Sequence, residues 1–128
     1  LIVKLYEKDG VQFEPDTNVF VSLSKAKSAA EKVARDFKEA HCEEITVHGY
    51  AAAGVDRDEY DSKKDQIDST NSKLTLSRAK AFANLIKKAG FSGTVNTEGI
   101  GTCGTEWTAN GDASESLQKL CRRVEVSN

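Results

Sequence analysis

The chain contains no methionine, and it has only one proline and one tryptophan among its 128 residues. Because translation begins with methionine, we expect residues 1–128 to be a single domain cut from a longer protein. No apolar run approaches the roughly 20 residues that a membrane-spanning helix needs. The opening LIVKLY is too short for a signal peptide and lacks its basic start. We therefore expect this domain itself to make no membrane contact.

An excess of basic charge and the common catalytic motifs are also missing. The formal net charge is −2, whereas a nucleic-acid-binding domain usually carries a basic patch, so nucleic acid is not an expected partner. No GxSxG, HExxH or Walker sequence occurs. His41 and Cys42 are adjacent, where a nucleophile and its base rarely have productive geometry, and His48 has no carboxylate nearby in sequence to orient it. We predict no enzymatic activity and no cofactor.

The three cysteines form no CxxC element, so no metal site is predicted. Cys103 and Cys121 enclose a polar, glycine-containing loop, and both lie beside predicted strand ends. A disulfide between them would restrict the unfolded chain and stabilise the fold by a few kcal/mol. It would also indicate an oxidising compartment. Three free thiols, with Cys42 as the third, are the alternative.

Two stretches are predicted to be irregular. Residues 54–70 are rich in aspartate, but they lack the turn glycine and the closing glutamate of an EF-hand calcium loop. We predict a solvated, mobile loop there. Residues 101–120 are polar and contain Trp107. Packing against the sheet edge is the more frequent role of such an aromatic residue, and a recognition surface is the alternative.

Hydrophobic periodicity predicts four strands and two long helices. The strands are expected within residues 1–13, 44–50, 94–100 and 121–127, the first being one irregular strand or a short hairpin. The first helix is expected to begin at Ser22 or Ser24 and to end near His41. Its apolar stripe comprises Leu23, Ala26, Ala30, Val33 and Phe37. The order β-α-β-α-β-β predicts an α+β fold, a two-layer α/β sandwich with two helices packed on one face of a mixed sheet.

The second helix is predicted within Asn71–Gly90. Thr75 is the expected N-cap, Gly90 is the expected residue just beyond the C-terminus, and the stripe between them comprises Ala79, Phe82, Ile86 and Ala89. Arg78 then falls in the first turn, where the helix macrodipole disfavours a cation. Arg78 is therefore either solvated or part of an anion site that includes free N–H groups.

Four motifs occur in a specific order along the chain. They are Asn71-x-x-Leu74-Thr75-x-x-Arg78-Ala79, a helix ending at Gly90, Glu98-Gly99-Ile100-Gly101, and Arg122-Arg123-Val124-Glu125-Val126. In this order they resemble the OmpA-like C-terminal domain, over roughly residues 9–127. The resemblance implies noncovalent binding to the diaminopimelate of the peptidoglycan stem peptide. It also implies a location in the periplasm or cell envelope, a parent protein anchored in the outer membrane, and other envelope proteins as further partners.

The resemblance also implies a ligand pocket at the N-terminus of the second helix. Arg78 would pair with a ligand carboxylate, and Asn71 would line the pocket or order its loop. Arg122 and Arg123 match a double arginine, of which alternation along a strand allows only one to face the pocket. The other implied pocket residues are Tyr50, Thr75 and, by a weaker alignment, Asp16.

One position departs from the family pattern. The segment Gly49–Gly54 has Ala52 where the family has an aspartate that holds the ligand ammonium group. Losing such a partner costs on the order of 2–5 kcal/mol of affinity. Either Asp56 or Asp58 replaces the charge, or the pocket has changed or lost its ligand. The alternative function is a degenerate OmpA-like domain that serves as a structural or protein-interaction module. Cysteine at position 121, where the family has asparagine, favours the Cys103–Cys121 bridge.

Overall fold

Four strands form one mixed sheet. The computed structural model describes all 128 residues. The strands are β1 (Ile2–Leu5), β2 (Glu44–Ala51), β3 (Thr94–Thr102) and β4 (Arg123–Ser127). Their order is β1-β4-β2-β3, in which β4 is antiparallel to both of its neighbours and β3 is parallel to β2. The two chain ends are adjacent, since the Leu1 amino group donates to Asn128 Oδ1 at 2.7 Å.

Of the four helices, the two long ones, α1 and α3, cover one face of this sheet. The helices are α1 (Leu23–Glu39), α2 (Arg57–Ser62), α3 (Lys64–Lys88) and α4 (Glu115–Cys121). The long helices α1 and α3 contact each other, and α3 packs on β2 and β3. The largest apolar side chains of the core, all fully buried, are Phe37, Phe82, Ile45 and Ile86. The predicted α+β two-layer sandwich, with two long helices on one face of a mixed sheet, is confirmed.

None of the four helices combines the length and the apolar composition that crossing a membrane requires.

Helix α1 begins at the predicted cap. The Ser22 hydroxyl accepts a hydrogen bond from the Lys25 N–H at 3.3 Å. Four members of the predicted stripe are buried, namely Ala26, Ala30, Val33 and Phe37. Leu23 is 50% exposed, so its assignment to the core was wrong. It lies in the first turn of α1, and the core beneath this helix begins one turn later at Ala26.

The aspartate-rich stretch after β2 is helical, so the prediction of a mobile loop was wrong. It forms α2 and the first turns of α3. Lysine–carboxylate pairs at helical spacing join Lys63 to Glu59 and Lys64 to Asp68, and such pairs stabilise a helix. Tyr60 is buried, and its hydroxyl donates to Asp68 Oδ1 at 2.6 Å. The same charges that suggested solvation in the sequence therefore stabilise helical structure.

The polar stretch after β3 is also more regular than predicted. Trp107 packs on the ring of Tyr60 with centroids 5.1 Å apart, and its indole N–H donates to the Val55 carbonyl at 2.8 Å. It therefore has the packing role expected for it, although its partner is α2 and not the sheet edge. The C-terminal part of the stretch is helix α4, which includes Cys121, so β4 begins later than predicted, at Arg123.

The first strand is shorter than either predicted alternative. Strand β1 ends at Leu5 and is followed by a 3-10 turn, Glu7–Asp9. The turn forms because the Asp9 carboxylate accepts a hydrogen bond from the Tyr6 N–H at 2.9 Å. Gly10 then ends it with a φ of 90°, a conformation that glycine adopts without steric cost.

Candidate functional site

Helix α3 lies so close to the sheet that only glycine fits beneath it. A Cβ on Gly49 of β2 would lie 2.3 Å from the Thr75 carbonyl oxygen, and a Cβ on Gly99 of β3 would lie 2.3 Å from that of Ser72. The Thr75 hydroxyl donates to the Asn71 carbonyl at 2.7 Å and accepts from the Gly101 N–H at 3.1 Å. These contacts fix the position of the helix that carries Asn71 and Arg78.

The predicted start of this helix was wrong, whereas its predicted end is confirmed. Because α3 begins at Lys64, Thr75 lies in its interior and is not an N-cap. Arg78 is therefore far from the first turn, and neither the macrodipole nor free N–H groups act at its position. At the C-terminus Gly90 has a φ of 105°, and its N–H donates to the Lys87 carbonyl.

A pocket of about 440 Å³ opens at the end of the sheet where β2 ends and β4 begins. Five of the six side chains that the sequence motifs predict for a ligand pocket line it. They are Arg78, Asn71, Tyr50, Arg122 and Asp16. Thr75 is fully buried and lies outside the lining, where it fixes α3 to β3. The structure thus brings together residues that are up to 106 positions apart, Asp16 and Arg122.

Arg78 is the most enclosed cation of the pocket, with 8% of its surface exposed. Its Nε donates to the Thr17 carbonyl at 2.7 Å, and its Nη2 donates to the Glu14 carbonyl at 3.3 Å. The guanidinium carbon also lies 4.9 Å from the centroid of the Phe13 ring, within the range of a cation–π interaction. Arg78 is therefore held by neutral groups and not by a carboxylate.

The Arg78 charge has no ion-pair partner in the chain. Burial lowers the pKa of the Arg78 guanidinium, and the nearby Asp16 acts in the opposite direction. Nη1 makes no hydrogen bond. Because no fully enclosed side-chain nitrogen lacks a hydrogen-bond partner, Nη1 reaches the solvent of the pocket. The site therefore presents a free N–H donor that carries a positive charge.

The loop that holds Arg78 is ordered by its own hydrogen bonds. Phe13 and Phe20 form an isolated β-bridge, and their rings stack at 4.6 Å. Within the loop the Thr17 hydroxyl donates to the Glu14 carbonyl at 3.0 Å. Asp16 has a φ of 57°, the left-handed conformation that aspartate tolerates better than most residues. The bend places Asp16 on the pocket rim, and the loop carbonyls face Arg78.

Asn71 lines the floor of the pocket and is mostly buried. Its Nδ2 donates to the Ala52 carbonyl at 3.2 Å and to the Thr102 hydroxyl at 3.0 Å. Since the Ala52 carbonyl can only accept, the nitrogen must be the atom that faces it. The Asn71 Oδ1 makes no hydrogen bond within the chain, so it remains free to accept a hydrogen bond from a ligand N–H.

The opposite wall of the pocket is formed by Arg122. Its Nη2 donates to Glu115 Oε1 at 2.6 Å and to Glu7 Oε1 at 3.2 Å. Burial acts to lower the pKa of Arg122, but the hydrogen bonds to Glu115 and Glu7 outweigh it and the pKa is raised. No sequence motif includes Glu7 or Glu115. Glu7 becomes a neighbour of Arg122 only through the pairing of β1 with β4, whereas Glu115 lies on α4, seven residues before Arg122.

Arg122 and Arg123 both line the pocket, so the prediction that only one would face it was wrong. Strict alternation does not apply, because Arg122 lies between α4 and β4 and not within the strand. The Arg123 guanidinium lies 4.0 Å from the centroid of the Tyr50 ring. Burial raises the pKa of Tyr50, and the nearby Glu125 raises it further.

Neither aspartate proposed to replace the missing charge at Ala52 lies in the pocket. Asp56 precedes α2, and its Oδ1 accepts a hydrogen bond from the Ala113 N–H at 2.7 Å. Asp58 is exposed within α2 and is absent from the pocket lining. The carboxylates that do line the pocket are those of Glu7, Glu14 and Asp16.

His48 has a carboxylate neighbour that its sequence context did not show. Its Nδ1 lies 3.1 Å from Glu98 Oε2 on β3, and its Nε2 lies 3.1 Å from Ser127 Oγ on β4. The three residues form a row across the sheet face opposite the long helices. None of them lines the pocket, and cross-strand polar contacts of this kind stabilise sheets.

The predicted disulfide is confirmed. Cys103 and Cys121 are bonded, with their Cα atoms 5.4 Å apart, and Cys42 is the free cysteine. The bridge joins the end of β3 to the end of α4. It therefore fixes the segment that leads into Arg122 and Arg123 of the pocket wall.

Sequence comparison identifies no matching family model and no matching curated protein. Solved structures share the fold. The OmpA-like domain of FopA1 from Francisella tularensis is 24% identical, with a TM-score of 0.64 over 98% of this chain and 69% of that one.

Two further structures are similar at lower identity. The cell wall anchor of the T6SS from Pseudomonas aeruginosa is 20% identical, with a TM-score of 0.67 over 98% of this chain and 78% of that one. The peptidoglycan-associated lipoprotein from Burkholderia pseudomallei is 13% identical, with a TM-score of 0.61 over 96% and 86% of the two chains. This chain therefore has the fold of the OmpA-like domains, as its four motifs predicted.

Proposed function

We propose that the pocket binds peptidoglycan noncovalently and so anchors a bacterial envelope protein to the cell wall. The ligand would be the diaminopimelate of the stem peptide, which carries a carboxylate and an ammonium group on one side chain. The domain would then act outside the cytoplasm, where the Cys103–Cys121 disulfide is stable. Two proteins that share this fold are named as a cell wall anchor and as a peptidoglycan-associated lipoprotein.

The observation that carries this proposal is the unpaired charge of Arg78. A buried cation without a counter-ion is costly, and here the unused Nη1 opens into a pocket of suitable size. A ligand carboxylate would supply the missing negative charge and accept a charge-assisted hydrogen bond. The contacts to Glu14 and Thr17 hold the guanidinium in place before the ligand arrives, so little side-chain entropy is lost on binding.

The remaining polar groups of the pocket are complementary to such a ligand. The free Oδ1 of Asn71 would accept from a peptide N–H of the stem. Asp16 makes no ion pair and is exposed on the pocket rim. It would hold the ammonium group for which Ala52 offers no partner, whereas Glu7 is already paired with Arg122. In the family pattern the carboxylate that holds the ammonium group follows β2, whereas here it would lie in the loop after β1.

Sedimentation with purified sacculi tests the proposal. We expect the wild-type chain to sediment with sacculi that contain diaminopimelate. Arg78→Ala should remain in the supernatant, because losing one partner of an enclosed charge pair costs about 2–5 kcal/mol. Arg35→Ala removes an exposed arginine of α1 that lies outside the pocket, and this control should sediment like the wild type.

Two further samples define the ligand. Asp16→Asn should weaken sedimentation with diaminopimelate sacculi, and lysine-type sacculi, which lack the second carboxylate, should bind more weakly to the wild type. If wild-type chain fails to sediment, or if Arg78→Ala sediments equally well, the anchoring function is wrong. The chain would then be a structural or protein-interaction module.

A further inference from the structure

A second cluster of chemically active side chains lies apart from the Arg78 side of the pocket, around the Cys103–Cys121 bridge. The Glu106 carboxylate is fully buried beside it. The Sγ atoms of Cys103 and Cys121 and a carboxylate oxygen of Glu106 all lie within 4.8 Å of one another. A glutamate enclosed at this position is unexpected, because a buried carboxylate usually needs a cation or several hydrogen-bond donors.

The local structure directs Glu106 inward. The neighbouring Trp107 is fixed on the other side by its hydrogen bond to the Val55 carbonyl and by its contact with Tyr60. Trp107 and Ala113 form an isolated β-bridge that closes the loop. Since successive side chains of an extended segment point to opposite sides, Glu106 is turned toward the disulfide.

Only one oxygen of this carboxylate has a conventional donor. Glu106 Oε1 accepts from the Ala53 N–H at 2.7 Å. Oε2 lies 3.4 Å from Cys121 Sγ, and a sulfur in a disulfide carries no hydrogen to donate. In the oxidised chain Oε2 is therefore a buried acceptor without a donor, aimed at the two sulfur atoms.

We propose that the reduced chain binds one zinc-class divalent cation through Cys103, Cys121 and Glu106, and that disulfide formation abolishes this site. Two thiolates and a carboxylate are ligands that zinc accepts. In a tetrahedral site, with Zn–S near 2.3 Å and Zn–O near 2.1 Å, sulfur and oxygen lie about 3.6 Å apart. The Oε2 to Cys121 Sγ distance of 3.4 Å is close to that value.

The surroundings support the charges of such a site. Arg123 Nη1 lies 3.5 Å from Cys103 Sγ and would offset the net negative charge of three anionic ligands around one dication. The Thr105 hydroxyl lies 3.0 Å from the same sulfur and can donate to a thiolate. The Ala53 N–H holds Oε1, which leaves Oε2 for the metal. Contacts of this kind orient ligands and tune a metal site.

Reduction and metal binding balance as two separate steps. The disulfide takes up two electrons from a phosphine reductant and two protons, giving two thiols, while the phosphine leaves as its oxide with an oxygen atom from water. The metal then displaces the two thiol protons and binds the thiolates. Cys103 is only partly buried, so one side of the cluster is accessible to the incoming ion.

Titration of the full chain with Co²⁺ and Zn²⁺, before and after phosphine reduction, tests the proposal. The reduced wild type should show thiolate-to-cobalt charge-transfer bands and tetrahedral d–d bands at one ion per chain. Excess Zn²⁺ should remove these bands, and the oxidised chain should show none. A reduced chain without these bands, or an oxidised chain that binds equally, would show the proposal to be wrong.

Glu106→Gln tests the contribution of Glu106 to metal binding while both cysteines stay unchanged. Glutamine still accepts from the Ala53 N–H, so circular dichroism should show a folded chain. Its affinity for Zn²⁺ should fall by at least about tenfold, since even outer contacts of metal sites contribute that much. Glu31→Gln, an exposed change on α1, should bind like the wild type. Equal affinity of Glu106→Gln and the wild type would overturn the role of Glu106. Peptidoglycan binding plays no part in this test.

Discussion

Two arginines face each other across the pocket, and their partners differ in charge. Arg78 is held by two backbone carbonyls and an aromatic ring, and it has no carboxylate partner. Arg122 is held between the carboxylates of Glu7 and Glu115. Burial lowers the pKa of Arg78, whereas the hydrogen bonds that Arg122 donates to the glutamates outweigh burial and raise the pKa of Arg122. One charge is therefore left for a ligand, and the other is neutralised within the fold.

The difference shows that lining a pocket and binding its ligand are separate properties. Arg122 has the residue type and the position that an anion site needs, but an incoming carboxylate would have to compete with two glutamates. Arg78 needs no such exchange. We therefore expect substitutions that affect Arg78 to have larger effects on ligand binding than equivalent substitutions of Arg122.

The largest effect on stability is expected when the close packing of β2 against α3, the helix that carries Arg78, is disrupted. Gly49→Ala would place a Cβ 2.3 Å from the Thr75 carbonyl oxygen, and backbone on both sides prevents relief. We expect a loss of about 1–3 kcal/mol in the free energy of unfolding, measured by urea denaturation. Displacement of α3 should also weaken binding to sacculi.

Gly54→Ala is the matched control for this substitution. A Cβ there meets no atom within 4 Å, although the φ of 79° disfavours any residue with a side chain. The control should cost about 1 kcal/mol through its backbone conformation alone. Equal losses for the two variants would mean that the close approach of α3 to β2 does not limit the packing.

The second prediction distinguishes the contribution of the guanidinium shape of Arg78 from that of its positive charge. Arg78→Lys keeps the positive charge but loses the planar fork that bonds the Thr17 and Glu14 carbonyls. We expect the affinity for sacculi to fall by about tenfold, and amide exchange of residues 14–21 to become faster. Affinity equal to that of the wild type would show that charge alone suffices.

A smaller effect is expected for Arg122→Gln. The substitution removes two partly exposed ion pairs, which typically contribute about 0–1 kcal/mol each. The melting temperature should change little, and the affinity for sacculi in sedimentation should stay within about threefold of that of the wild type. If Arg122→Gln releases the chain from sacculi as Arg78→Ala does, the contrast between the two arginines is wrong.

The smallest effect concerns Asp68, which lies on the helix that carries Arg78, and its contribution to the stability of the fold at low pH. Hydrogen bonds from Lys64, Tyr60 and Thr102 lower the pKa of Asp68 to about 2, from an ordinary value of 3.8. Its contribution to stability is therefore present above about pH 4 and is lost as the pH falls through about 2.

Asp68→Asn should remove this contribution. Solvent screens the partly exposed carboxylate, so the effect on unfolding should be below about 0.5 kcal/mol at pH 7. The difference between wild type and variant in urea denaturation should shrink as the pH falls from 4 to 2. A constant difference over this range would contradict the lowered pKa.

The core was predictable from sequence because its signals are local. The apolar stripe of α1 from Ala26 to Phe37 and the alternation in β2 each follow from one periodicity. The start of α3 was not predictable in this way, because Lys64–Asp68 pairing and the burial of Tyr60 on Trp107 involve charged or distant residues. The same charges occur in mobile loops, so composition alone does not distinguish the two.

The pocket was predictable only in part, for a related reason. The motif around Asn71 and Arg78 is continuous in sequence, and its resemblance to a known domain indicated both residues. Glu7 and Glu106 lie in segments without a motif, and their partners Arg122 and Ala53 are distant in sequence. The pairing of β1 with β4 brings Glu7 to Arg122, and the pairing of β3 with β2 brings Glu106 to Ala53.

The antiparallel pairing of β1 with β4 has a mechanical consequence. The chain ends meet at one end of these strands, where Leu1 contacts Asn128, and the pocket lies at the other end, beyond Leu5 and before Arg123. Tension between a held ligand and either chain end is therefore directed along the strands. The backbone hydrogen bonds between β1 and β4 are then loaded in shear and share the force, so they do not open one after another as in unzipping.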